Sequence, residues 1–125
     1  MLDVSEDEFT KLVGEALDAL PQEYVKRLLQ NVAVTWEEEP SEEQRETLKL
    51  RGNQTLFGLY EGLPLTDRYN GVTKITPDKI TIFKGPITAH SHDRIELKDQ
   101  IKRTVWHEMA HYFGLDHNDI HKLEN

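Results

Sequence analysis

The run His107-Glu108-Met109-Ala110-His111-Tyr112-Phe113-Gly114-Leu115-Asp116-His117 lies in the last quarter of a 125-residue chain and has the form H-E-x-x-H-x-x-G-x-x-H. On an α-helix, residues four apart are rotated by only about 40° and separated by about 6 Å along the axis, so His107 and His111 point the same way. Glu108 is turned about 100° from His107 and about 60° from His111, beside a shared metal ion without ligating it. A base must sit there to take a proton from metal-bound water. Gly114 tolerates the left-handed conformation found just past helix ends, which lets the chain double back and bring His117 to a third coordination position. Three neutral imidazoles with one open, water-filled position describe catalytic rather than structural zinc.

Working outward, the flanking sequence supports the helix. Asp93 followed by Glu96 has the spacing of a capping box. With His107 at zero, Ile101, Val105, Met109, Tyr112 and Phe113 fall on the far side, in an arc from about 120° to 240°. One face packs and the opposite face binds metal. The five-residue core of the motif would arise by chance in roughly 3 of 100 chains of this composition, and the eleven-residue form in about one in ten thousand. The reading requires the rings of His107, His111 and His117 to reach one ion, and the Glu108 carboxylate to stay out of the packed interior.

The composition sets the setting for this chemistry. The length implies one domain over residues 1–125, with a modest core. Hydrophobic residues make up 37% and charged residues 30%, as in a soluble globular protein. With no cysteine, disulfides and thiolate zinc ligands are both excluded. The opening Met1–Glu8 segment is acidic and has no apolar stretch, unlike a signal peptide, and no apolar run reaches membrane-spanning length. A cytoplasmic location is the expectation, with no membrane partner. A net charge of −8 disfavours nucleic acid, whose binding draws on Lys and Arg.

Ser5 and Glu8 form a second capping-box pair, with Val4 and Phe9 placed as a hydrophobic staple. Phe9, Leu12, Val13, Ala16, Leu17 and Leu20 then keep helical spacing. Pro21 separates this helix from another, with the stripe Tyr24, Val25, Leu28 and Leu29. Val32–Trp36 is β-rich and reads as a buried strand. The acidic run 37–43 reads as a solvated loop, and Ser41 with Gln44 as the cap of a short helix. Leu56–Tyr60, Val72–Ile75 and Ile80–Phe83 are further β-prone pieces, separated by a polar loop from Leu65 to Gly71. Gly85-Pro86 stops the last of them, and 87–92 leads into the motif helix. Ile120 and Leu123 seat one last helical turn. The expected architecture is α+β, a small mixed sheet packed on helices with the site helix near the C-terminus.

The motif resembles that of the metzincin metallopeptidases, with one departure: those proteins carry a Met-turn after the third His, and here no Met follows His117. Four stretches bear a closer resemblance to the minimal zincins, small single-domain bacterial zincin-like metallopeptidases. They are Asn31–Val34, Leu56–Thr66, Pro77–Phe83 and Thr104–Gly114. That resemblance implies a zincin-like fold, zinc, and cleavage of a peptide or protein substrate. The third ligand is often Asp in that family, which brings Asp116 into view beside His117. On this reading Glu108 is catalytic, and an extended substrate pairs with a sheet edge above the site helix. Tyr60, Tyr69 and His90 are candidates for stabilising the oxyanion, while His92 and His121 belong to the surface. Two rivals stand beside it. Metal-dependent endoribonucleases that mature ribosomal RNA share the three-His spacing, but carry Gly where this chain has Glu108. A non-catalytic module would use metal only to hold its C-terminal turn.

Overall fold

The computed structural model describes residues 2–49, 56–62 and 78–114. Helix α1 spans Glu6–Ala19 and α2 spans Gln22–Leu29; strand β1 is Val32–Glu37 and helix α3 is Glu42–Thr47. Strands β2 (Gly58–Glu61) and β3 (Asp78–Phe83) follow, then helices α4 (Lys84–Ala89) and α5 (Arg94–Phe113). The fold is α+β, as expected. The predicted strand at 72–75, the loop at 65–71 and the last helical turn at 120–123 lie outside the described residues.

Local chemistry explains the helix starts. Ser5 Oγ accepts the Glu8 N–H at 3.1 Å, while the Glu8 carboxylate turns to Arg94 instead of closing the box. Ser41 and Gln44 make both bonds of a capping box, at 3.0 and 2.9 Å. Asp93 Oδ1 accepts the Glu96 N–H at 2.8 Å and starts α5. Two helical expectations need correction. Leu29, placed on the packing stripe of α2, is 50% exposed. Segment 84–89, read as a strand stop and lead-in, is helix α4. Pro86 is its third residue, where the missing N–H would have had no intrahelical acceptor.

The sheet order is β1-β3-β2, with β1 parallel and β2 antiparallel to the central β3. Strand β1 is not the buried strand expected. Val32 is buried, but Ala33, Thr35 and Glu37 face solvent, because successive side chains point to opposite faces of the sheet and only one face of β1 is covered. In β3, by contrast, five of six residues are buried, and Ile80 and Ile82 join the core. That core unites α1 (Phe9, Leu12, Val13, Ala16), Val25 and Leu28 of α2, and the inner side of α5. Helix α5 packs on α1 and also meets β2 and β3, which makes it the element the other layers share.

Candidate functional site

Helix α5 owes its central place to the width of its buried surface. Ile101, Val105, Met109 and Tyr112 are buried on the expected arc, with Phe113 partly so, and Trp106 and Ala110 extend that arc. A further buried pair, Thr104 and Glu108, faces another way, toward β2. With His107 at zero, Arg103 lies near −40°, His111 near 40°, Thr104 near 60° and Glu108 near 100°. The helix surface thus passes from solvent, through the two histidines, to the strand.

The imidazoles of His107 and His111 have ring centres 5.1 Å apart, with planes inclined at 73°. Two imidazoles bound through nitrogens about 2.1 Å from one tetrahedral ion would have ring centres about 5 Å apart. The donor pair therefore fits a zinc ion. His111 Nδ1 lies 3.2 Å from Glu108 Oε1. A carboxylate accepts, so this nitrogen carries the proton, and in the neutral ring Nε2 keeps the lone pair a metal needs. His117 and Asp116 lie outside the described residues, and among the described residues no third side chain completes a metal-ligating cluster.

Glu108 is more enclosed than the helical wheel implied. Its side chain is 11% exposed, and Oε1 accepts the backbone N–H of Tyr60 at 3.1 Å. It is not sealed in, because Glu108 and His107 line one cleft of about 500 Å³. Phe57, Gly58, Thr104 and His90 form other parts of its wall.

Strand β2 reaches Glu108 because of its register. Phe57 C=O accepts from Phe83 N–H at 2.8 Å, so the backbone groups of residues 57, 59 and 61 turn toward β3. Those of Gly58 and Tyr60 turn the other way. Residue 58 must be small, because a Cβ there would stand 2.5 Å from Thr104 Cγ2.

The remaining candidates separate clearly. The Tyr60 hydroxyl donates to Asp78 Oδ2 at 2.8 Å, which directs it away from the role of oxyanion donor. His90 donates through Nδ1 to the Pro86 carbonyl at 2.9 Å and lines the same cleft as His107. His92 is on the surface, as expected, 3.2 Å from Glu96. Tyr69 and His121 lie outside the described residues. The cleft walls at Phe57, Gly58 and Thr104 were not anticipated. The available signal was a glycine inside a strand, which marks a close approach of another element.

Residues 29–125 match the family model of zincin-like metallopeptidases. No curated protein matches the chain. Among solved structures, a conserved hypothetical protein from Thermo thermophilus is similar in fold, with a TM-score of 0.57 at 19% identity over 88% of this chain and 94% of that one. Neither the endoribonuclease nor the binding module finds support in these matches. No helix among the described residues is long and apolar enough to cross a membrane.

Proposed function

Because the chain belongs to the zincin-like metallopeptidase family, we propose that it is a zinc-dependent peptidase, one domain over residues 1–125, in which Glu108 is the catalytic base. His107, His111 and His117 are the metal ligands in this reading. The observation that carries it is the 5.1 Å spacing of the first two rings, with Glu108 beside His107 on one cleft. Zinc supplies acidification of water, toward a pKa of about 7, and polarisation of a scissile carbonyl.

The chain's own residues supply the rest. Oε1 of Glu108 is held by the Tyr60 N–H and by His111, which leaves Oε2 to take the proton from the attacking water. The same oxygen then hands it to the amine as the C–N bond breaks. An extended peptide pairs with the outward edge of β2, where Gly58 turns its N–H and C=O away from β3. The cytoplasm is the proposed compartment, in keeping with a chain that has no cysteine.

Elemental analysis, followed by assays of wild type and Glu108→Gln on a mixed-peptide pool and on a structured RNA, tests this reading. The expected result is about one zinc per chain in both proteins and peptide cleavage by wild type alone. Metal-dependent RNA scission, or equal peptide cleavage by both proteins, would overturn it.

A further inference from the structure

Strand β2 lies along one row of α5. Gly58 sits against Thr104, the Tyr60 N–H meets Glu108, and the Tyr60 ring packs edge-on against Tyr112 with centroids 5.9 Å apart. Thr104, Glu108 and Tyr112 are spaced by four and so form a single ridge on the helix. An outward-facing N–H on an edge strand ordinarily bonds water or another strand. Here it bonds a helix side chain, which requires the strand to lie unusually close to the helix.

Gly58 permits that closeness to α5, and Gly62 permits a matching one to β3. A Cβ on Gly58 would come within 2.5 Å of Thr104 Cγ2. One on Gly62, whose φ is +153°, would come within 3.0 Å of Asp78 Cβ and closer still to its carboxylate. Asp78 is fully buried and accepts the Tyr60 hydroxyl at 2.8 Å. Residue 60 is thus fixed at its phenol by β3 and at its ring by α5, and its backbone stand-off is set at Gly58.

We propose that Tyr60 is a positioning residue, whose backbone N–H fixes the Glu108 carboxylate so that Oε1 stays engaged and Oε2 alone meets the substrate water. This rests on the reading of Glu108 as the base. A carboxylate free to rotate would exchange its two oxygens and spread the distance to the water. Held at one oxygen, it presents the other in a single geometry, the kind of orientation whose loss slows a reaction without weakening substrate binding.

Replacing Tyr60 by its α-hydroxy acid analogue converts the Leu59–Tyr60 amide into an ester. That deletes the Tyr60 N–H and weakens the Leu59 carbonyl as an acceptor toward β3, a loss that does not reach Glu108. In the zinc-loaded protein kcat should fall about 10- to 100-fold, with KM and zinc content within about twofold. Gly58→Ala should lower kcat as well, and Gly58→Ala with Thr104→Ser, which removes the clashing methyl, should recover most of it. A readout apart from activity is hydrogen exchange at the Tyr60 amide, which should quicken at least about tenfold in Glu108→Ala. Unchanged exchange there, or a wild-type kcat in the ester or in Gly58→Ala while Glu108→Gln is inactive, overturns the proposal. Full activity of Glu108→Gln would instead overturn the functional reading on which it rests.

Discussion

Arg94, the first residue of α5, holds Glu8, in the first turn of α1, through two hydrogen bonds: Nε to Oε2 at 2.7 Å and Nη2 to Oε1 at 2.9 Å. The same guanidinium donates to the Asp3 carbonyl at 3.1 Å, so one side chain ties the start of the site helix to the N-terminal segment. The hydrogen bond from Arg94 holds the Glu8 carboxyl below the usual carboxylate range; desolvation opposes it, and the charges of Arg94, Lys98 and Lys11 add to the lowering. A carboxyl depressed by folding contributes stability that is present above its unfolded value, near 4.5, and lost as the pH falls through the folded one. Wild type should therefore lose urea resistance as the pH drops below about 4.5, and Arg94→Gln should lose less over that range. The side chains are 49% and 33% exposed, so the difference should shrink in about 1 M salt. Urea midpoints at several pH values test this, and parallel curves for the two proteins would refute it.

The two imidazoles of α5 differ from that of His92, just before the helix, in what surrounds them. His92 is 90% exposed and faces Glu96 on the helix surface, whereas His107 lies on the cleft wall and His111 abuts Glu108. Replacing His107, His111 or His117 by Ala should weaken zinc binding by more than about 100-fold, beyond the range for losing an outer partner of a ligand. His92→Ala should leave it unchanged. Zinc titration against a competing chelator checks both, and equal affinity across the set would remove the ligand assignment.

The elements legible in the sequence were those whose signal is local. Ser5, Ser41 and Asp93 each announced a helix start, and each side chain accepts the expected backbone N–H. The far-side arc of α5 could be read because 3.6-residue periodicity places Ile101, Val105 and Met109 on one face whatever they pack against. What escaped depends on neighbours far away in the chain. β1 looked like a buried strand from Val32 to Trp36, yet whether its second face is covered depends on what packs against it, and Ala33, Thr35 and Glu37 remain exposed. Helix α4 was hidden because Gly85-Pro86 punctuates most chains, whereas here the Gly85 N–H finds the Glu38 carbonyl at 2.8 Å, from a loop more than forty residues earlier. The motif placed His107, Glu108 and His111 on one helix, but gave no sign of the strand that meets Glu108. Contact between Gly58 and Thr104 is a property of packing, and a single glycine is too common to reveal it.

Ile101 separates stability from chemistry on one helix. Its side chain is fully buried in the shared core, on the side of α5 away from His107. Ile101→Ala removes three heavy atoms from a packed site and should cost about 2–5 kcal/mol, read from urea unfolding. Below the shifted transition, zinc affinity should remain within about twofold, because the ligand face is not touched. A loss of zinc binding while the protein is still folded would show that the two faces are coupled.

Gly114 closes α5 in the left-handed region, at φ 72° and ψ 28°, and its N–H returns to the carbonyls of Ala110 and His111. An L-residue with a Cβ meets the following carbonyl in that conformation, at a cost of roughly 1–2 kcal/mol, while Asn is penalised less than Ala. The turn matters twice over. It satisfies the last helical carbonyls, and in the proposed site it would set the direction in which the chain leaves toward His117, three residues on. Gly114→Ala can respond by keeping the turn and losing stability, or by continuing the helix. In a continued helix, position 117 would lie about 9 Å farther along the axis than position 111. No ion shared with His107 could then be reached. The first response predicts a lower melting temperature with zinc binding intact, and the second a loss of zinc binding with little change in melting. Because His117, the proposed third ligand, follows this turn in the chain, we expect Gly114→Ala to lose on both measures and Gly114→Asn to fall between it and wild type. Melting curves with and without zinc decide the matter, and a Gly114→Ala protein equal to wild type on both would show that the left-handed turn is not what directs His117.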